Sequence, residues 1–238
     1  MAGYTLYGYP MCGSASVDLA LIASGIPHER KDLNPAKGDL QSDDFLAINP
    51  RGQVPTLIHP DGSIITEVPA VMLHLADAHP DCGLAPPAGS SARAQHDRWL
   101  AFVQSNCYEG ALRLMYTDRY TTATDPADIA KVRAAALAYV IRHFNLLANA
   151  MEDGPFVMGE NPMAVDYVVF IVMAWLDHKQ IAQLTEEDLS DLDPKIWQLT
   201  KALAARPELK EALARNVEDY YRDVRELPVP GPDDLIAV

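Results

Sequence analysis

Three consecutive stretches of the 238-residue chain decide its fold: DFLAINPRGQVPTL at residues 44–57, DGSIITE at residues 61–67 and AVMLHLAD at residues 70–77. The short segments Val54–Ile58 and Ser63–Ile65 flank the turn HPDG, which predicts a β-hairpin. Thr66 then provides an N-cap for a helix over Glu67–Asp77, whose apolar residues keep helical spacing. This part of the chain is therefore predicted to form two antiparallel strands followed by a helix.

The residues before this stretch predict two further strands and two further helices. Tyr4–Tyr7 is aromatic and β-branched, and a glycine and a proline follow it, as is typical of a strand ending in a tight loop. A helix is predicted from Ser14 to Gly25, and His28–Leu33 fits a second strand. Ser42 is a suitable N-cap for a short second helix. The predicted order over the first 80 residues is βαβαββα.

The rest of the chain is predicted to be a linker and then helices. Residues 81–90 are rich in proline, glycine and alanine, and no strand pattern follows them. The sequence thus divides into a domain over residues 1–80, a linker over 81–90 and an all-helical domain over 91–238. The predicted helices are Ser91–Tyr120, Asp125–Glu152, Ala164–Asp177, Glu186–Asp191, Pro194–Ala205 and Pro207–Arg215.

Composition excludes several classes of partner. With 19 Lys and Arg against 33 Asp and Glu, the net charge is −14, which opposes binding to nucleic acid or an anionic membrane. The chain has no apolar stretch long enough to span a membrane and no signal peptide at its start. Its three cysteines form no CxxC pair, which favours a reducing, cytoplasmic compartment. The seven histidines lack ligand spacing such as HxxxH, so we expect no metal.

The three quoted stretches resemble the glutathione-binding half of the cytosolic glutathione S-transferases, above all the bacterial, cysteine-type (beta-like) classes. The Val54-Pro55 dipeptide stands where that family has a cis proline at the mouth of its site. The likeness continues through FVMGENPMAVDYVVF at residues 156–170, where Asp166 matches the family's helix-capping residue, and into the terminal helices. The resemblance implies a thioredoxin-like α/β domain followed by an all-α domain, in a homodimer.

Cys12 is the candidate catalytic residue. It lies in the loop that enters the first helix, where free N–H groups and the helix dipole lower a thiol pKa. Its thiolate would attack a glutathione disulfide or conjugate, and a second glutathione would resolve the mixed disulfide. The absence of a CxxC partner favours this monothiol route. Tyr7 and Ser14 are the alternatives, since in hydroxyl-type relatives a hydroxyl holds the glutathione sulfur as a thiolate.

Glutathione, the expected co-substrate, needs a carboxylate for its amine, a strand edge for its backbone and positive groups for its acids. By resemblance, Glu67 would bind the γ-glutamyl amine, Val54 the cysteinyl backbone and Lys37 the glycyl carboxylate. Arg51 is a weaker candidate for that glycyl end. The full set of predicted glutathione-binding residues is Gly13, Ser14, Lys37, Gln53, Val54, Pro55, Glu67 and Val68.

Val68 departs from the family pattern. Relatives follow the Glu with a hydroxyl residue that binds the γ-glutamyl carboxylate, whereas Glu67 is followed here by Val68 and Pro69. Only the Val68 N–H remains to bind that anion. A lost hydrogen bond to a charged group costs about 1.5–3 kcal/mol, so weak glutathione binding or a compensating residue is expected.

The second substrate is expected in a cleft lined by the helical domain. The predicted lining residues are Tyr108, Arg113, Tyr116 and Tyr120, with Arg119 as a further candidate. Cysteine-type relatives tend to carry a His-Lys pair near this place, but this chain has Tyr108-Glu109, so their substrate preferences do not transfer.

The sequence therefore predicts a glutathione S-transferase-like enzyme of detoxification. It would conjugate small apolar electrophiles or reduce them by thiol transfer, with thiol-transferase or peroxidase side activity. Two alternatives stay open, because a fold alone does not confer activity. One is a non-catalytic binding or interaction protein of the same fold. The other is a dedicated glutathione-dependent lyase or dehalogenase.

Overall fold

The structure, a computed structural model, describes residues 3–178, 182, 184 and 187–218. These residues form two compact units. The first comprises residues 3–82 together with 206–218, and the second comprises residues 83–205.

A four-stranded mixed sheet forms the centre of the first unit. Its strands are β1 (Tyr4–Gly8), β2 (His28–Asp32), β3 (Thr56–Ile58) and β4 (Ile64–Thr66), in the order β2-β1-β3-β4. β1 pairs parallel with β2 and antiparallel with β3, and β3 pairs antiparallel with β4. The predicted hairpin is confirmed, and the Val54-Pro55 peptide bond that precedes it is cis, as the resemblance implied.

Three helices cover the two faces of this sheet: α1 (Gly13–Ala23), α2 (Asp43–Ile48) and α3 (Val68–Ala78). Side chains alternate between faces along a strand. On one face Leu6 is fully buried and Tyr4 lies against His74 of α3. On the other face Tyr7 packs on Phe45 of α2. Ser42 caps α2 as predicted, because its Oγ accepts a hydrogen bond from the Phe45 N–H.

The segment 206–218 contains α9 (Lys210–Leu213) between a 3₁₀ turn at Pro207–Leu209 and a π-helical turn at Ala214–Glu218. It packs against α1, which is why it belongs to the first unit and not to the predicted helical domain over 91–238. Residues 219–238 of that predicted domain lie outside the described residues, as does the start of the predicted helix at Glu186.

The second unit is helical in its described residues. Its α-helices are α4 (Ser91–Phe102), α5 (Glu109–Met115), α6 (Pro126–Ala148), α7 (Ala164–Asp177) and α8 (Pro194–Ala204). The prediction of one continuous helix over Ser91–Tyr120 is wrong. A π-helical turn at Val103–Tyr108 separates α4 from α5, and a 3₁₀ turn at Thr117–Tyr120 follows. Apolar periodicity predicts that a segment is helical but not where its hydrogen-bond pattern changes.

The core of the second unit is α7, which has the bounds that the sequence predicted. Apolar on every side, it is almost entirely buried, as expected for a central helix. Asp166 accepts hydrogen bonds from the Met163 N–H (2.7 Å) and the Val157 N–H (2.9 Å). Burial raises the pKa of Asp166 to about 7, although these N–H groups lower it. Asp166 therefore ties the start of α7 to the loop before it.

None of the helices in the described part of the chain combines the length and apolar character that a membrane span requires.

Candidate active site

The pairing of the strands brings three separate segments to one edge of the sheet. Gly8 at the end of β1 lies beside Asp32 at the end of β2. In the antiparallel pairs, Tyr7 is opposite Thr56 and Thr56 is opposite Thr66. The residues that follow β1, precede β3 and follow β4 therefore lie at the same edge. The candidate residues on these segments are Cys12, Val54 and Glu67.

Cys12 occupies the N-cap position of α1 and is half-buried. Its thiol donates a hydrogen bond to the Tyr9 carbonyl over 2.9 Å, and its Sγ lies 2.9 Å from Ser14 Oγ. Ser14 Oγ in turn accepts a hydrogen bond from the Tyr9 N–H over 3.1 Å. Gly8 makes room for this hydroxyl, because a Cβ at that position would lie 2.3 Å from Ser14 Oγ. The loop is therefore shaped around a cysteine and a serine in contact.

The prediction that this position lowers the thiol pKa is wrong for the unliganded protein. Burial raises the pKa of Cys12 above its ordinary value, because desolvation penalises the thiolate. Hydrogen bonds with Ser14 and Tyr9 and the charge of Arg30 lower that pKa, but by less than burial raises it. The thiol is therefore the favoured form in the free protein.

The Tyr9 carbonyl gives the thiol and the hydroxyl a shared acceptor. Ser14 Oγ lies 3.2 Å from that carbonyl and can donate to it, as the Cys12 thiol does. When the thiol loses its proton, the Ser14 hydroxyl can donate to the sulfur instead. Ser14 thus lies where it can stabilise a Cys12 thiolate.

Val54 presents a free backbone beside this loop. Neither its N–H nor its C=O takes part in a hydrogen bond among the described residues. The buried Asn49 holds the segment in place by donating to the Gln53 carbonyl over 2.8 Å and to Thr56 Oγ1 over 3.0 Å. An extended peptide can pair with such a backbone as an added strand does.

Glu67 lies at the N-cap position of α3, not within the helix as predicted, and Thr66 is the last residue of β4. Its backbone has φ 69° and ψ 117°, a strained conformation of the kind that clusters at functional sites. Its carboxylate pairs with Arg51 Nη1 over 2.7 Å. Arg51 therefore lies against Glu67, and its candidate role at the glycyl carboxylate stays a prediction.

The first turn of α3 offers little side-chain chemistry to an anion. The Val68 side chain is buried, and its N–H makes no hydrogen bond with another described residue. Pro69 has no N–H. An anion at this helix end would therefore meet only backbone N–H groups and the helix dipole.

Two other predicted contacts, Lys37 and Gln53, have exposed side chains. Neither side chain makes a hydrogen bond or ion pair with another residue in the described ranges. Lys37 ends a 3₁₀ turn that follows β2, whose carboxyl end is at the same edge as that of β1. Tyr7 lies on the other side of the sheet from Leu6, between Phe45 and the Lys31 ammonium, and makes no hydrogen bond to Cys12.

The four predicted lining residues of the second unit do not form one group. Tyr108 packs edge-on against Trp175 of α7, with ring centroids 4.8 Å apart. The Arg113 guanidinium instead lies 5.8 Å from the ring centroids of both Tyr120 and Tyr139. Five helical residues separate Tyr108 from Arg113, which places them about 140° apart around the helix. The π-helical turn that ends at Tyr108 is a feature frequent at functional sites.

The guanidinium of Arg119 stacks on the ring of Tyr116, at 4.2 Å from its centroid. Desolvation and the neighbouring Glu109 carboxylate raise the pKa of the Tyr120 phenol. Tyr120 is nearly half exposed. The charges of both Arg113 and Arg119 act on Tyr120, Arg119 also stacks on Tyr116, and Tyr108 packs against Trp175.

Residues that the sequence reasoning missed connect the Cys12 loop to the end of the described chain. Asn216 accepts a hydrogen bond from the Met11 N–H and contacts both Asp18 and Arg30. No local sequence signal marks such contacts, because Asp18 and Asn216 are 198 positions apart. In the described ranges, no group of three or more His, Cys, Asp or Glu side chains is arranged to hold a metal ion.

Comparison with known proteins points to one family. The family model for the glutathione S-transferase N-terminal domain matches residues 14–78. The glutathione S-transferase GstA of Escherichia coli O157:H7 is 30% identical over 210 residues, which cover 88% of this chain and 96% of that protein.

Solved structures of similar proteins agree. One is a sphingomonad glutathione S-transferase complexed with glutathione, with 27% identity, a TM-score of 0.71 and coverage of 88% of this chain and 96% of that one. Another is a glutathione transferase homologue from Sulfitobacter with bound glutathione, with 25% identity, a TM-score of 0.74 and coverage of 91% of this chain and 100% of that one.

Proposed function

Because the chain belongs to the glutathione S-transferase family, as its sequence predicted, we propose that it is a glutathione-dependent enzyme in which Cys12 performs thiol transfer. The observation that carries this proposal is the Cys12 sulfur at the start of α1, in contact with the Ser14 hydroxyl. The glutathione bound in similar solved structures supports the same co-substrate here. The proposed second substrates are small apolar electrophiles or mixed disulfides of small molecules with glutathione.

Glutathione would bind along the sheet edge described above. Its cysteinyl backbone pairs with the free N–H and C=O of Val54, next to Pro55, which places its sulfur toward the Cys12 loop. Its γ-glutamyl ammonium binds the Glu67 carboxylate, and the carboxylate beside that ammonium binds the Val68 N–H. Lys37 and Gln53, whose side chains are exposed, are the proposed contacts for the glycyl end. Gly13 and Ser14 provide the start of α1.

The Arg51–Glu67 ion pair does not prevent this arrangement. The two side chains are 62% and 60% exposed, and exposed pairs contribute only about 0–1 kcal/mol. The γ-glutamyl ammonium can therefore share the Glu67 carboxylate with the Arg51 guanidinium, or replace the guanidinium there, at little cost in free energy. Arg51 would then be free to approach the γ-glutamyl carboxylate, for which Val68 provides no hydroxyl. We propose Arg51 as the compensating residue.

The proposed reaction is a pair of thiol–disulfide exchanges. The Cys12 thiolate attacks the glutathionyl sulfur of a mixed disulfide R–S–S–G, forming Cys12–S–S–G and releasing the thiolate R–S⁻. The thiolate of a second glutathione then attacks the glutathionyl sulfur, releasing the Cys12 thiolate and forming oxidised glutathione. In sum, one glutathione thiolate and one mixed disulfide R–S–S–G give R–S⁻ and oxidised glutathione. The Ser14 hydroxyl stabilises the Cys12 thiolate before the first exchange and after the second.

Tyr108 and Tyr116 are the proposed contacts for an apolar second substrate, because each presents a ring already packed against a neighbour, Trp175 and Arg119 respectively. Arg113 and Tyr120, which lie against each other, are proposed as further contacts for this substrate. A homodimer and a cytoplasmic location, both implied by the resemblance, stay predictions.

The test compares Cys12→Ser with a matched cysteine variant, Cys82→Ser, because both thiols are half-buried. We expect Cys12→Ser to lose reduction of a glutathione mixed disulfide while still binding glutathione in calorimetry, and Cys82→Ser to keep both. Retained thiol transfer in Cys12→Ser would overturn the role of Cys12.

Conjugation of 1-chloro-2,4-dinitrobenzene by both variants is measured in parallel. Conjugation that survives in Cys12→Ser would assign that reaction to a hydroxyl. Of the two predicted alternatives, Ser14 contacts residue 12, whereas Tyr7 lies on the opposite face of the sheet from Leu6. Glutathione binding without any turnover in the unmodified protein would favour the non-catalytic alternative.

A further inference from the structure

A buried ionic cluster lies beneath the Cys12 loop. The Asp18 side chain is fully buried in α1. Its Oδ1 lies 3.1 Å from His28 Nε2, and its Oδ2 accepts from Arg30 Nη1 over 2.7 Å. The Arg215 guanidinium also donates to Oδ2. Arg30 also donates through Nε to Asp32 Oδ1 over 2.6 Å, so the two guanidinium groups of the cluster face two carboxylates.

Asn216 joins this cluster to the C-terminal segment. Its Nδ2 donates to Asp18 Oδ2 over 2.6 Å, and its Oδ1 accepts from Arg30 Nη1 over 2.7 Å. Nδ2 also bonds the Ala212 carbonyl over 3.0 Å, so the amide uses both of its polar atoms. Asn216 is fully buried. A buried amide with every contact satisfied has one orientation available to it.

The main chain of the same residue reaches the Cys12 loop. The Asn216 carbonyl accepts a hydrogen bond from the Met11 N–H over 3.0 Å. Met11 has a φ of 53°, a left-handed conformation that costs energy for a residue with a side chain and needs surrounding contacts to persist. Cys12 follows directly, so the carbonyl of Asn216 helps to hold the turn that places the thiol beside Ser14.

We infer that Asn216 is a positioning residue for the Cys12 thiol, with its carbonyl holding Met11 and its amide bridging Arg30 and Asp18. The segment 206–218 thereby supports a cysteine whose proposed glutathione-binding neighbours all lie within the first 68 positions. This inference rests on the proposed role of Cys12 and extends it to a residue that touches neither substrate nor sulfur.

The arrangement predicts how the reactivity of Cys12 depends on Asn216. Arg30 is one of the groups that lower the pKa of the Cys12 thiol. Arg30 Nη1 loses one of its acceptors when the Asn216 amide is removed. The Asn216 carbonyl, which holds the strained turn at Met11, is then no longer fixed by its own side chain. We therefore expect Asn216→Ala to raise the pKa of Cys12 by about one unit, which lowers the thiolate fraction at pH 7 about tenfold and the rate of alkylation about threefold.

The experiment measures Cys12 alkylation by iodoacetamide between pH 6 and 11, with peptide mapping by mass spectrometry to assign the label. Asn145→Ala is the control, because the amide of Asn145, which is partly exposed, also joins two groups, the Asp191 carbonyl and the Asp193 N–H, both over 2.8 Å, but does so in the second unit. We expect both variants to lose thermal stability and only Asn216→Ala to shift the pH profile. An unchanged profile in Asn216→Ala would show that Asn216 is merely structural.

A second variant keeps the inference testable if Asn216→Ala does not fold. Asn216→Asp preserves size and the acceptor for Arg30 but adds negative charge to the cluster. We expect it to move the alkylation profile to higher pH, and a wild-type profile would overturn the inference. Alkylation requires no turnover, so this result stands apart from the tests of the proposed function, which measure thiol transfer and glutathione turnover.

Discussion

The contact between Ser14 and Cys12 predicts the size of a pKa change. Ser14 is buried, with its Oγ 2.9 Å from the sulfur and 3.1 Å from the Tyr9 N–H. In Ser14→Ala the thiolate loses a hydroxyl donor. A hydrogen bond to a charged group contributes about 1.5–3 kcal/mol, and one pKa unit corresponds to about 1.4 kcal/mol. Because sulfur is a weak acceptor, we expect the lower end of that range, a rise of about one unit.

The consequence at neutral pH is a loss of thiolate. The pKa of the Cys12 thiol already lies above its ordinary value because of burial. A further rise of about one unit lowers the thiolate fraction about tenfold at any pH well below the pKa. Because a thiolate of higher pKa is also more nucleophilic, alkylation at pH 7, and thiol transfer if Cys12 is the nucleophile, should fall by less, about threefold.

The assay follows iodoacetamide alkylation against pH in a Cys82→Ser background. Burial raises the pKa of the Cys107 thiol far above its ordinary value, so that thiol stays unreactive in the native protein. Ser16→Ala is the control, because Ser16 is equally buried in α1 and its Oγ donates to the Gly13 carbonyl over 2.7 Å without contacting Cys12. An equal Cys12 pKa in the two variants, or a lower one in Ser14→Ala, would refute the reasoning.

Three further predictions concern glutathione affinity and stability. Glu67→Gln should weaken glutathione binding about tenfold in calorimetry. This is near the lower limit for a hydrogen bond to a charged group, because the site is exposed. Arg51→Ala should weaken glutathione binding measurably if Arg51 compensates for the missing hydroxyl, and unchanged affinity would exclude that role. Val68→Ser should tighten binding by a similar factor while lowering the melting temperature, since the Val68 side chain is buried; unchanged affinity would place the γ-glutamyl carboxylate elsewhere. The pKa of Asp166 is raised to about 7 in the folded state, so its protonated form stabilises the fold at low pH and that stability is lost as pH rises from about 4 through 7. Asp166→Asn should therefore be less stable at pH 5, because one N–H loses its acceptor, and its free energy of unfolding should fall less between pH 5 and 7 than that of the wild type; parallel slopes in denaturant titrations would contradict this.

Local sequence patterns were sufficient for much of the fold. The hairpin around residues 59–62, the cap at Ser42 and the bounds of α7 each depend on residues close together in the chain, and the structure agrees with all three. The start of α3 was misplaced, because a helix cap preference cannot anticipate the strained backbone at Glu67. The interruption between α4 and α5 was missed for a similar reason, since a π-helical turn leaves the apolar pattern nearly intact.

The candidate site also has one part that the sequence predicted and another that it did not. Cys12, Val54 and Glu67 could be named from the sequence because a family motif surrounds each of them, and the strand register then places their segments at one edge. The pKa of the Cys12 thiol could not be predicted, since it is a balance between burial and three kinds of neighbour. The position of Arg51 against Glu67 also required coordinates, because 16 residues separate the two.

By itself, then, the sequence determined the family, the order of the elements and the candidate cysteine, all of which are encoded in short-range patterns of residue type. Only the tertiary structure decided what surrounds that cysteine. Desolvation and the contact between Met11 and Asn216 arise when distant segments pack together, and the contacts with the Tyr9 carbonyl depend on the exact path of the loop. Their energies depend on distance and burial in three dimensions, and linear sequence carries no direct record of either.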